Sequence, residues 1–267
     1  MALAFYLQEN RHKVPMKLIN FFIVFALTAC ITPSCKKDPS LDMAKLHVRI
    51  NATMNGEPFQ VNKVFTGPEG LRMTVEDFRF YLSDISLRSN SLQIGQKQLA
   101  LINLPEQKNE FQMEIPSGTY NSIRFAVGVP AELNGIGAPD FDPTVYPPGH
   151  PLSLQNDMYW TNTTGYVFLR IEGKIDTSVS QDKAPLLPWF YHSGTNALYG
   201  YRQINSLQIQ AKGGEEVYLD IGLEVNDLFC SQGDTIQMTK DNFTHTTDHF
   251  ALAFKVIQNL RNSFKQP

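Results

Sequence analysis

Two short segments hold the side chains of this sequence best suited to metal binding or redox chemistry. Asp157-Met158-Tyr159-Trp160 runs on through Gly165-Tyr166-Val167-Phe168, and Trp189-Phe190-Tyr191-His192-Ser193-Gly194 follows. Both tryptophans of the chain lie inside them. A thioether, oxidisable indoles and an imidazole suit a copper or redox site. The same large aromatics and methionine also suit a β-sandwich core. His192 can ligate a metal or hydrogen-bond beneath a loop. His245 and His249 stand four apart ahead of a helical pattern; on an early-starting helix they share a face and can chelate, and otherwise they are exposed capping residues. Met158 reads as a core filler or a Cu(I) thioether ligand, and Cys230, after Leu228-Phe229, as a small buried hydrophobe. Asp77 and Arg79 read as a structural ion pair or loop anchor, His47 as facing solvent, and His150 as a surface residue without a partner.

The elements that must position these groups are mostly strands. Leu46–Ile50 alternates with period two, and Asn55-Gly56 is a hairpin signal because both residues tolerate positive φ. Further strand candidates are 71–75, 78–87, 99–104, 111–115, 120–127, 165–173, 204–211 and 215–223. Pro130 to Pro151 reads as an extended loop, since both flanks continue the strand pattern. Near the end, Phe250, Ala253, Phe254, Ile257 and Leu260 form a helical stripe, which Thr247 or Asp248 can cap. The expected fold is all-β: a β-sandwich with long loops and one C-terminal α-helix.

The N-terminus reads as an export signal. Met16-Lys17 is a plausible true start, followed by the apolar run Leu18–Leu27, too short to span a bilayer. Residues 1–35 are expected to be the signal and lipobox region. Cys35 is the expected lipidation site, with Cys30 as the alternative, residues 36–44 as a tether and 45–267 as the domain. An acylated N-terminal cysteine would hold the domain at a membrane of the cell envelope, on its periplasmic or cell-surface side. Cys230 alone remains in the domain and has no disulfide partner there. The net charge of −3 in 267 residues, with no basic stripe, argues against a nucleic-acid partner. There is no nucleophile elbow, phosphate loop, dinucleotide fingerprint or His-Glu-x-x-His, and no carboxylate pair stands out by spacing, so a non-catalytic protein is expected.

Four segments carry a family resemblance. Val75-Glu76-Asp77-Phe78-Arg79-Phe80-Tyr81-Leu82-Ser83-Asp84-Ile85-Ser86-Leu87 resembles the DFRxYxSDxxL strand of the methanobactin-associated MbnP-like copper-binding family. Gly118 to Asn134 is similar to its GxYxxLxFxxGVPxxLN segment. Pro151-Leu152 through Met158-Tyr159-Trp160 to Gly165-Tyr166-Val167-Phe168 is similar to its PLxxxxMxWxWxxGYKF segment. Phe190 to Gly194 stands where that family has its HxG.

The resemblance implies an exported copper-binding protein for metal handling, partnered by a di-haem, cytochrome c peroxidase-like enzyme that oxidises a tryptophan to kynurenine. Trp160 is the implied target, with Trp189 second. His192, His245, Trp160 and His249 are the implied metal site. Opening an indole to kynurenine frees an aryl amine, a nitrogen ligand that can act beside imidazoles. The chain departs from the family pattern at Gly135 and Ala52, where related sequences carry histidine, and at Asn162, where they carry a second tryptophan. Those departures favour an alternative: a surface protein- or glycan-binding sandwich module that has lost the metal site.

Overall fold

The structure is a computed structural model and describes residues 42–266 except 90–92, 139 and 232. The expected signal region, Met16, Cys30, Cys35 and most of the tether lie outside the described residues. Strand β1 (Met43–Met54) starts inside the last residues expected as tether.

The body is an all-β sandwich with one C-terminal helix. In the smaller sheet, β1 lies between β10 (Glu216–Glu224), which it pairs in parallel, and β4 (Glu110–Pro116), which it pairs antiparallel. A two-residue strand, β12 (Phe264–Lys265), closes the outer edge of β10. The larger sheet is organised on β2 (Arg72–Arg88), flanked on one edge by β3 (Gln93–Asn103). Its other edge is shared end to end. β7 (Leu169–Ile175) pairs Met73 to Phe80, and β5 (Ser122–Val127) pairs Leu82 to Arg88. β9 (Gly200–Ile204) extends the sheet beyond β5. β8 (Leu187–Ser193) and then β11 (Phe243–Thr244) extend it beyond β7.

Several expected boundaries shift for identifiable reasons. The two strands read at 71–75 and 78–87 are one 17-residue strand. Asp84 adopts φ 47 there and makes a bulge where β2 changes partner. Strand β8 was missed because its aromatics carry no polar alternation to be read. In the structure it does alternate: Trp189, Tyr191 and Ser193 are buried and Phe190 and His192 are less so. The helix, α1 (Phe250–Ser263), has its buried face turned from the expected stripe. Leu252, Ala253, Val256, Ile257 and Leu260 are buried, whereas Phe250 and Phe254 are 46% and 42% exposed. Neither Thr247 nor Asp248 caps the helix, whose N-cap is His249 without a side-chain bond.

The sheets are joined by aromatics. Phe264, at the end of α1, packs edge-on against Phe80 and Phe125, with ring centroids 5.8 and 5.0 Å apart, while its backbone pairs with β10 of the other sheet. Burying one such ring is worth about 1.5–3 kcal/mol. A second apolar layer covers the outer face of β2. Tyr81 sits there, edge-on to Tyr166 at 6.0 Å, beside Met158, Phe168 and Leu152, all buried. Its hydroxyl donates to the Pro151 carbonyl (2.8 Å), and that of Tyr166 to the Leu152 carbonyl (2.9 Å). The long 130–151 loop is therefore pinned onto the sheet.

Gly173 of β7 lies where that strand passes closest to β2. A Cβ there would meet the Thr74 carbonyl oxygen at 1.9 Å and the Trp189 ring at 2.7 Å. Gly173→Ala should therefore cost about 2–4 kcal/mol of stability, as forced overpacking does. Urea denaturation checks this, and an unchanged midpoint would contradict the packing described.

Candidate metal centre

Strand register assembles this site. On one face of the larger sheet, Arg79, Arg170 and His192 lie side by side on β2, β7 and β8. The next row on that face is Asp77, Glu172 and Phe190, continued by Phe243 on β11. Opposite charges therefore meet diagonally. His192 Nε2 donates to Glu172 Oε1 at 2.7 Å, and Arg170 Nε donates to the same oxygen at 2.5 Å. Arg170 Nε also approaches Asp77 at 3.1 Å, and Nη1 donates to Asp157 at 2.5 Å. Arg79 is bidentate on Asp77 and also donates to the Asn156 carbonyl at 2.5 Å. Asp77 and Arg79 are thus both the ion pair and the loop anchor expected of them.

Trp160 comes from the loop side. A short strand, β6 (Tyr159–Thr161), pairs with Gly165–Tyr166 and holds the indole partly buried over the sheet. The hairpin is fixed at its base. The fully buried Asn134 accepts from the Tyr166 backbone N–H at 2.7 Å and donates to Asn196 at 2.8 Å. His245 arrives after β11, in a turn where Thr246 takes φ 73. The Thr246 hydroxyl donates to the His192 carbonyl (3.0 Å) and accepts from Gly194 N–H (2.9 Å), stitching this turn to the end of β8.

Three of the four residues expected to form the site converge. The His192 and His245 ring centroids lie 5.2 Å apart, and Trp160 lies 6.3 and 6.4 Å from them. Phe190 backs both imidazoles, at 5.4 and 4.9 Å. His249 does not join them: α1 starts only at Phe250, so the pair at 245 and 249 never shares a helical face, and His249 is exposed. Trp189 points the other way, into the core. It is 1% exposed against Phe229 and Tyr191, and its indole N–H has no hydrogen-bond partner among the described residues. Met158 is wholly buried as core. Cys230 is half-buried, accepting from Thr235 Oγ1 at 3.2 Å, rather than fully buried.

The other histidines depart from expectation. His47 is 6% exposed, stacked on Tyr218 at 4.5 Å and bonded to Glu110 at 2.7 Å, because β4 and β10 flank it on both sides. His150 stacks on Tyr146 at 4.5 Å and accepts from the Leu152 N–H, and burial lowers its pKa.

The electrostatics fix the imidazole tautomers. Glu172 is held as a carboxylate with its pKa lowered from 4.5 to about 2, by the hydrogen bond from His192 and, against a burial penalty, by Arg170. Asp248 is also lowered: burial opposes it, but the His245 backbone N–H (2.8 Å) and ring contacts outweigh that penalty. A carboxylate only accepts, so His192 Nε2 and His245 Nδ1 carry the protons. The nitrogens left facing away from the carboxylates are Nδ1 of His192 and Nε2 of His245. A carboxylate behind each ring is the usual support of a metal-binding histidine. The indole of Trp160 offers a donor only, and the described residues hold no cluster of three His, Cys, Asp or Glu set for a metal. The set fits copper only as two imidazoles completed by a further nitrogen.

Gly135, one of the departures from the family pattern, has a structural reason. It caps the single helical turn Ala131–Asn134 at φ 69, and a Cβ there would fall 2.2 Å from the Phe141 ring. No histidine fits at that position. Arg170, Glu172 and Asp248 went unrecognised in the sequence. The paired Asp77-x-Arg79 and Arg170-x-Glu172 patterns were the available signal for the first two.

A family model described as MbnP matches residues 43–248. Among solved structures, MbnP from Methylosinus trichosporium is similar at 15% identity and a TM-score of 0.49, over 70% of this chain and 78% of that one. No curated protein matches.

A carboxylate with a lowered folded-state pKa stabilises above its ordinary value and loses that contribution as pH falls toward the folded one. For Glu172 the window runs from 4.5 down to about 2. Glu172→Gln should therefore cost about 1–3 kcal/mol near neutrality, and the gap from wild type should shrink through that window. Denaturation at several pH values checks this; a gap that does not depend on pH would contradict the ion pair's role.

Proposed function

The chain belongs to the MbnP family, and from that premise we propose an exported, non-catalytic copper-handling protein of the cell envelope, lipid-anchored through Cys35 or alternatively Cys30. The observation that supports this reading is the meeting of Trp160, His192 and His245, with Glu172 and Asp248 behind the two imidazoles.

In this reading His192 Nδ1 and His245 Nε2 hold the ion, and Trp160 supplies the third nitrogen after oxidation to kynurenine. That conversion breaks the indole C2–C3 bond, makes C3 a ketone, releases C2 as formate and leaves the indole nitrogen as an aryl amine with a lone pair. A di-haem, cytochrome c peroxidase-like partner is the proposed catalyst, with a peroxide as the oxidant and oxygen source. Half-burial of Trp160 supports its choice over Trp189, which the core encloses. Phe190 supplies an apolar wall beside both imidazoles, and Phe243 packs on Phe190 at 5.6 Å. The Asp77–Arg170–Glu172 chain keeps His192 from rotating away.

Gly135, closed off by Phe141, favours a second reading in which the chain is a surface protein- or glycan-binding module without metal. Copper titration separates the two. The mature protein should bind copper stoichiometrically, and His192→Ala and His245→Ala should each weaken binding about tenfold or more, as loss of a ligand does. The native Trp160 peptide should carry the mass of kynurenine. Absence of stoichiometric copper, or undiminished binding by His192→Ala, sinks the copper reading and leaves the second.

A further inference from the structure

A second constellation lies on the outer face of the larger sheet, among β3, β2, β5 and β9. Register sets it in two rows. Gln93, Arg88 and Ser122 are cross-strand neighbours, and so are Gly95, Ser86, Arg124 and Gln203. The alternate positions Leu87, Ile123 and Ile204 are buried in the core, so the polar set faces outward. The small residues stand mid-row. Ser86 and Ser122 are 9% and 5% exposed and form a floor, while the longer arginines and glutamines stand around it. The result is a hollow of about 230 Å³ lined by Ser86, Arg88, Gln93, Ser122, Arg124 and Gln203.

Its chemistry is one-sided. The lining carries two guanidiniums, two hydroxyls and two amides, and no acidic side chain. Asp84, further along β2, accepts from Tyr199 (2.7 Å) and Tyr201 (3.2 Å) instead. Arg124 is held in place: its guanidinium lies 3.5 Å over the Tyr201 ring. A stacked guanidinium has already lost much of its rotamer freedom and still presents N–H donors at its edge. Arg88 and Arg124 line the same hollow, so it presents two positive charges. A bound anion would offset both charges, and guanidinium forks match tetrahedral oxyanions well.

We propose that this hollow binds a small tetrahedral oxyanion, a phosphate or sulfate group, either free or as the terminal group of a larger ligand. The volume admits one such group with its hydrogen-bonding donors and is below that of a pocket for a drug-sized molecule. The site shares no residue with the Trp160–His192–His245 centre and does not depend on copper.

Calorimetric titration of the full chain at fixed ionic strength tests this, with inorganic phosphate and glycerol phosphate as probes and chloride as the balancing salt. Saturable phosphate binding is expected, weakened about tenfold or more by Arg88→Gln and by Arg124→Gln, the loss of one charge-assisted contact. Lys97→Gln, on the exposed side of β3, should leave it unchanged. Tighter binding of glycerol phosphate would assign a ligand-borne group, and equal binding the free ion; both support the site. Arg88 is exposed, so its variant keeps the fold even if Arg124→Gln does not. No saturable binding of either probe up to about 10 mM, or binding that Arg88→Gln leaves intact, overturns the proposal.

Discussion

The structure depends on β2 finding hydrogen-bond partners along both edges for 17 residues. A buried strand with an unpaired edge would leave peptide groups without water or protein partners, at a cost of a few kcal/mol each. No single neighbour runs that far. The chain divides one edge between β7 and β5, and the bulge at Asp84 lets the strand twist from one to the other. Each half of the larger sheet carries a different polar surface on its outer face. Around β7 the face holds the imidazole centre. Around β5 it holds the arginine-lined hollow.

Positioning of the imidazole centre is a property of register more than of loops. His192 is aimed by its place opposite Arg170, and Glu172 is aimed at His192 by being one row away. A slip of β8 by one residue would put Trp189 and Tyr191 on that face and turn His192 toward the core. The loops contribute Trp160 and His245, but each is tied back to the sheet frame: Trp160 through Tyr166 and Asn134, His245 through Thr246 and the last carbonyls of β8. The two imidazoles are therefore positioned by contacts within the protein.

Much of this was legible in the sequence because family motifs coincide with sheet positions. The DFRxYxSDxxL pattern is β2 itself, with Asp77 and Arg79 outward and Phe78 and Phe80 inward. Trp160 and His192 could be named from motif order, and His245 from its place ahead of the helical stripe. What could not be read were effects that depend on partners far away in the chain. Glu172 acquires its role from His192 across a strand pair, and His47 is covered only because β4 and β10 happen to flank it. Of the two readings offered for His249, the structure has the exposed cap position, because α1 starts only at Phe250. The face of the helix was misjudged because phenylalanine weighs heavily in any apolar stripe. The sandwich instead buries Leu252 and Val256 and leaves Phe250 and Phe254 at the surface.

The parallel pairing of β1 with β10 has a kinetic meaning. Antiparallel neighbours such as β2 and β3 can meet as soon as both exist. β1 finds β4 early, but its other edge must wait for residues lying 171 positions later. Until β10 arrives, the smaller sheet has an open edge beside the buried Leu46, Val48 and Ile50. Non-local closure of this kind slows folding. A chain built so cannot complete its sandwich until its last quarter has emerged.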